Sequence, residues 1–340
     1  RLAVASAPPR GRGAGAPTLS DLQAQQVSEA GPDELPCPPG MFGMATEEEE
    51  EYGHEMIEGL LQMLKCQDPR LSAKAAAALC NLCAESEPNR EQVVAGGGLP
   101  RLLDMLDRPA AGVPFMQSAA AACLCNLAAN PDSKIAIAKS GAMEVLVAVL
   151  RGSNLSAAAQ AAGALWSLCV DNDHNKRLVA DAGAVPHLVQ LLRSADLFTV
   201  SQAAGALSEC SIRNDSNKTL VSAAGAIPLL VTMLQSGDLN VRRLASCALC
   251  NVCANHAANK QQAREAGALP LLVRQLGEPS SAAVLSPIAG AICNLSMRSS
   301  DNRLELLRLG AADVLRRHTE SSSPSLRCNA LAALNQLEGP

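Results

Sequence analysis

The chain has 340 residues, 48% of them hydrophobic but only 1% aromatic, so its core must be filled by Ala, Leu and Val. That composition suits closely packed helices better than a β-sandwich. The net charge of −5 is segregated: residues 1–59 carry three Arg against eleven acidic side chains, and residues 60–340 carry 25 basic against 22 acidic ones. Neither part offers the basic stripe of a nucleic-acid-binding protein, so no nucleic acid is expected as a partner.

Thirteen cysteines, an odd number scattered through apolar segments, point to reduced thiols inside a cell rather than to a secreted disulfide framework. No secretory leader and no integral membrane span are expected. The most apolar candidate, Gly152 to Val170, contains Asn154, Gln160 and several Ser and Gly residues, and reads as a buried helix. A cytoplasmic location is expected, with the nucleus or a cilium as alternatives.

Residues 1–52 form the first region. The opening RLAVASAPPRGRGAGAPTLS starts on Arg rather than Met, so a fragment, a processed form or an incomplete gene model is expected. It faintly resembles an organelle transit peptide, but a plain disordered tail is the better account. To residue 45 it is rich in Pro, Gly and Ala with no hydrophobic period, and the run Glu47–Glu51 completes it as a solvated acidic stretch.

From 53 to 340 the sequence repeats. GGLPRLLDML, GAMEVLVAVL, GAVPHLVQLL, GAIPLLVTML, GALPLLVRQL and GAADVLRRHT begin at Gly97, Gly141, Gly183, Gly225, Gly267 and Gly310. Asn followed by Lys or Arg keeps step at Asn89, Asn175, Asn217, Asn259 and Asn302, with Ser133-Lys134 in the remaining slot. Ala-Leu-Cys-Asn-Leu at 78–82 is echoed around Asn126, Asn251 and Asn294. Three markers locked to one period of roughly 42 define a repeat array.

Each unit reads as three helices. Asn before Lys or Arg is expected to cap a short first helix, as Asn217 would for KTLVSAA. The glycine ends that helix by taking a left-handed conformation. Pro100, Pro186, Pro228 and Pro270 then fall in the first turn of the second helix, where a missing N–H costs little. The third helix is rich in Ala and Gly, which lets neighbours approach closely. No such unit buries its apolar faces alone, so about seven of them must stack. The first, near 55–88, lacks a first helix and caps the array; the chain stops after a third helix, which allows for a truncated C-terminal cap.

The stretch CALCNVCANH, with Cys247, Cys250, Cys253 and His256 three apart, looks like a metal site. On a helix, however, Cys247 and His256 would lie about 13 Å apart along the axis and on opposite sides. A zinc ion needs all its ligands within about 2.0–2.3 Å. The slot before the repeat asparagine is Cys80, Cys125, Trp166, Ser208, Cys250 and Cys293, so cysteine there reads as a small apolar filler. No metal or other cofactor is expected.

A unit of N-K/R…G-A-I/L-P-L-L-V…A-A-G-A-L-x-N-L resembles the armadillo repeat, and the resemblance covers about 55–340. It implies an all-α, right-handed superhelical solenoid whose third helices line a concave groove for extended peptides or partner helices. It also implies that the repeat asparagine faces that groove and bonds to a bound backbone. By period those positions are Asn81, Asn126, Ser167, Glu209, Asn251, Asn294 and Gln336. Layers about 8–10 Å apart match every third residue of a chain advancing about 3.3 Å per residue. The alternative role for each asparagine is to tie neighbouring helices together. Glu209, with Arg213 one turn on, would select a basic ligand or stay merely solvated. Arg243 lies two turns before Asn251. Trp166 is either a binding anchor or a ring held between repeats.

The importin-α branch of the family carries tryptophan four residues before the groove asparagine. Here those positions are Ala77, Ala122, Gly163, Gly205, Cys247 and Gly290, which argues against nuclear-import cargo. The glycine-alanine style is closer to the vacuolar, plant and ciliary armadillo adaptors. Five dispersed histidines (His54, His174, His187, His256, His318), no P-loop and no HExxH argue against an enzyme. The expected function is a non-catalytic scaffold or adaptor that binds a peptide or helical segment of another protein along the groove. The alternative is a structural component of a cytoskeletal or ciliary assembly, joined through convex first-helix lysines Lys176, Lys218 and Lys260. The acidic tail would fold back on the groove as an autoinhibitor.

Overall fold

The structure, a computed structural model, describes residues 47–108, 113 and 115–339. Most of the expected tail, and with it the proposed fold-back, lies outside the described residues. Among the described residues there are only helices, in layers. The first layer has two, α1 (Glu47–Met63) and α2 (Pro69–Glu85), and so lacks a first helix. Six three-helix layers follow: α3 (Glu87–Ala95), α4 (Gly98–Asp107) and α5 (Phe115–Leu127), then α6 (Pro131–Lys139), α7 (Ala142–Arg151) and α8 (Leu155–Cys169). The fourth comprises α9 (Asp173–Asp181), α10 (Ala184–Leu191) and α11 (Leu197–Ser211), and the fifth α12 (Asp215–Ala223), α13 (Ala226–Met233) and α14 (Leu239–Cys253). The sixth holds α15 (Ala257–Glu265), α16 (Ala268–Gly277) and α17 (Ala282–Ser296), and the seventh α18 (Ser300–Arg308), α19 (Ala311–Arg316) and α20 (Pro324–Glu338).

Helix α1 begins at Glu47, so the acidic run assigned to the tail is helical. Glutamate is a good helix former, and its charge suits a helix N-terminus.

Six glycines, Gly97, Gly141, Gly183, Gly225, Gly267 and Gly310, have φ of 75–82° and join first to second helices. A side chain at each would be strained, which explains why the glycine keeps its period. A second left-handed joint precedes first helices at Asp171, Arg213, Asn255 and Arg298, with φ of 52–55°. The core is small and aliphatic: Ala162, Leu165, Leu168, Ala204, Leu207, Ala248 and Leu249 are all fully buried. Each third helix packs on the third helix of the next layer.

The Asn-Lys marker does something other than cap. The N-caps of α6, α9, α12 and α15 are Asn130, Asn172, Asn214 and His256, not the marker residues three positions on. Of the marker asparagines, Asn175, Asn217, Asn259 and Asn302 are buried, and their Nδ2 groups donate backwards. Asn217 donates to Cys210 O and Lys176 O, both at 2.8 Å. Asn259 repeats this with Val252 O at 2.9 Å and Lys218 O at 3.2 Å, and Asn302 with Leu295 O at 3.0 Å and Lys260 O at 3.3 Å.

The lysines are not convex surface charges. Lys176, Lys218 and Lys260 are only 1–3% exposed. Their stems are buried, and their ammonium groups meet carbonyls or carboxylates of their own layer. Lys134 Nζ donates to Val170 O at 2.5 Å, Lys218 Nζ to Ala254 O at 2.7 Å, and Lys260 Nζ to Met297 O. Val170, Ala254 and Met297 are the C-caps of α8, α14 and α17, where a cation offsets the negative end of the helix dipole. Lys176 instead meets Asp173 at 3.2 Å and Glu209 at 3.6 Å. Burial by the next layer overrides the tendency of lysine to lie outside.

Replacing Lys218 by Met keeps most of the buried stem and removes the ammonium. It should lower unfolding stability by about 1–3 kcal/mol, read as a fall in urea midpoint; an unchanged midpoint would show that the strap contributes nothing.

Burial pushes the Cys80, Cys210, Cys250 and Cys253 thiols up to about 12 and Cys125 up to about 11, from an ordinary 9.0. Cys123, hydrogen-bonded to Cys83, is raised as well, as are Cys169, Cys247 and Cys293 by burial. The unfolded chain loses these protons first, so thiol burial contributes stability below pH 9 that is lost as pH rises towards 12. Lys134 and Lys260, lowered by burial, act in the opposite sense but are outnumbered. The urea midpoint in reducing buffer should therefore fall between about pH 8 and pH 10, and fall less steeply in Cys253→Ala.

Candidate functional site

The third-helix face is built by interdigitation of small residues. A Cβ on Gly163 would lie 2.6 Å from Gln202 Oε1, and one on Gly290 would lie 3.4 Å from both Asn329 Nδ2 and Cys250 Sγ. One on Gly205 would meet the Trp166 ring at 2.3 Å. The neighbouring layer already occupies these slots, which leaves no room for a ring there.

Within this face the expected groove residues are joined in sequence to the layer before. Asn126 Nδ2 donates to Cys80 O at 2.9 Å, and Asn294 Nδ2 to Cys250 O at 2.9 Å. Asn251 Nδ2 donates to Ser208 Oγ at 2.9 Å, and Ser167 Oγ lies 3.3 Å from Cys125 Sγ. Each partner is the residue just before the preceding layer's own groove position. The amide N–H groups thus brace layers, which leaves the carbonyl oxygen of each amide as the group suited to accept from a ligand. Asn81, in the first layer, is exposed.

The remaining expected site residues are dispersed along the face. The Glu209 carboxylate lies 3.6 Å from buried Lys176. Arg213 is exposed, with Nη2 3.4 Å from Asp173, and Arg243 donates to Asn240 Oδ1 at 2.7 Å. Trp166 is half-buried, its ring against α11 at Gly205. Asn251 and Asn294 are brought together. With Cys247, Cys250, Pro287, Gly290, Cys293 and Asn329 they line a cavity of about 200 Å³ across α14, α17 and α20. Asn329 and Pro287 went unremarked in the sequence, although a proline inside an Ala-rich third helix was a visible departure.

Cys247, Cys250 and Cys253 all lie on α14, whereas His256 is outside it. His256 Nδ1 accepts from the Asn259 N–H at 3.3 Å. Among the described residues no three His, Cys, Asp or Glu side chains are gathered to hold a metal ion. Also among these residues, no helix is long and apolar enough to cross a membrane.

A stack of three-helix layers with paired glycine and Asn-Lys markers defines an α-solenoid repeat protein. The Armadillo/beta-catenin-like repeat model matches residues 130–170, 172–212, 214–254 and 256–297, and these four units are armadillo repeats. Human catenin delta-2 is 33% identical over 110 residues, a match that takes in 32% of this chain and 9% of that protein, and the mouse protein gives the same figures. The matched segment thus spans less than a tenth of the length of these relatives. Among solved structures, an engineered protein superposes with a TM-score of 0.75 at 28% identity, covering 83% of this chain and 68% of that one. A designed armadillo repeat protein in complex with the peptide (KR)4 gives 0.62 at 26% identity, covering 70% and 99%.

Gly205→Ala tests the ring contact. It should cost about 1–3 kcal/mol of stability and shift the emission of the lone tryptophan to the red as the ring is displaced; unchanged emission and stability would place Trp166 elsewhere.

Proposed function

We propose that the chain is a non-catalytic adaptor that holds an extended or helical segment of another protein along its stacked third helices. The observation that carries this reading is the alignment of Asn126, Asn251 and Asn294. Their N–H groups are engaged with the preceding layer, so their carbonyl oxygens remain to accept backbone N–H groups of a bound segment. The designed relative in complex with a peptide supports a binding role for this architecture. Raised thiol pKa values along the face leave these cysteines protonated near neutral pH, which does not favour nucleophilic chemistry there. We place the adaptor in the cytoplasm, with protein partners.

Glu209 is not assigned as a selector of basic ligands in this reading, because Lys176 faces its carboxylate. A second reading, assembly through the convex side, is favoured by the first-helix residues Ile135, Leu220 and Leu304, which are 46–54% exposed. It can no longer rest on the buried lysines.

Changing Asn126, Asn251 and Asn294 together to Ala should lower recovery of native partners at least about tenfold, with unfolding followed in parallel because the same amides brace the layers. Unaltered recovery would remove the groove assignment. The converse arm, Ile135→Glu with Leu220→Glu, should spare recovery; loss there would move the interface to the convex side.

A further inference from the structure

The cavity across α14, α17 and α20 departs from the repeat in one way that the stack does not need. Pro287 lies inside α17, where it removes a backbone N–H from the helix ladder at a typical cost of about 3 kcal/mol. Among the described third helices, α17 alone carries an interior proline. Gly290, one turn later, falls in the slot that is also glycine at Gly163 and Gly205, and a Cβ there would meet Asn329 Nδ2 and Cys250 Sγ at an ordinary contact distance of 3.4 Å. A local rule broken in the wall of a cavity is a mark of function.

The lining is uncharged. Asn251, Asn294 and Asn329 direct their N–H groups away along the stack, to Ser208 Oγ, Cys250 O and Ser286 O at 2.9–3.0 Å. Their carbonyl oxygens are left as acceptors. Three thiols, Cys247, Cys250 and Cys293, make up the softer part. A buried ligand charge would find no counter-ion here, which is costly. At about 200 Å³ the cavity is below the roughly 300–1,000 Å³ of pockets for free small molecules, and fits one side chain. Arg243 lies one helical turn before Cys247 on α14 and is the nearest cation on that helix face.

We infer that this cavity is a side-chain socket within the binding groove. It accepts one uncharged, apolar side chain of a partner's extended segment, whose backbone N–H groups reach the asparagine oxygens and whose flanking residues include a carboxylate facing Arg243. This rests on the groove reading above and adds to it the chemistry of the bound segment.

A displayed library of random decapeptides panned on the full chain tests it. The wild type should enrich peptides with one large apolar residue beside Asp or Glu, and replacing that apolar residue by Ala in a selected peptide should weaken binding about tenfold. Gly290→Leu fills the socket, and should still bind the peptides while reducing that ratio to about onefold. Cys247→Phe narrows the socket from the opposite wall and stands in if Gly290→Leu misfolds. Arg243→Ala should remove the acidic preference alone. Binders that keep their apolar preference in both filled variants, or wild-type selections dominated by basic residues, would overturn the socket and leave the groove intact. No enrichment by the wild type would overturn both.

Discussion

Everything in this molecule depends on how one layer is bound to the next. A helix ends with carbonyls that lack partners, and a stack of short helices has many such ends to satisfy. Here the following layer satisfies them: the marker asparagine donates to the carbonyl seven residues earlier and to the backbone of the preceding marker lysine. In three layers the lysine ammonium returns to the end of its own layer's third helix. Adjacent layers are thereby set in register, and the third-helix face follows from that register.

Register also explains the composition. Gly163, Gly205 and Gly290 leave room for side chains from adjoining layers, and alanine lines most of the remaining contact. Bulk at those positions is supplied from the layers beside them. The same closeness desolvates the thiols, so the cysteines that first looked like metal ligands behave as small packing groups.

Much of the architecture was legible because glycine reports a geometric demand that no other residue meets cheaply. The six glycines therefore marked the joints of the layers. The Asn-Lys pair was as regular, yet its role was misread. A period shows that a residue is required without saying whether a cap, a brace or a surface contact requires it, and the lysine head sits beside carbonyls some 36 residues away. On the third-helix face, Asn126, Asn251 and Asn294 could be aligned by spacing. The direction of their amides, and the gathering of Asn329 and Pro287 around two of them, depended on packing across three layers.

One joint differs from its neighbours. At the fourth layer Lys176 meets Glu209, where Lys134, Lys218 and Lys260 meet the carbonyl that ends a third helix; Lys176 and Lys218 each also pair with the aspartate three residues before, Asp173 and Asp215. Hydrogen bonds to a fixed backbone oxygen depend on orientation, whereas attraction between opposite charges falls off gradually with distance and weakens with added ions. The strap inside the fourth layer therefore depends on ionic strength more than those that end on a carbonyl.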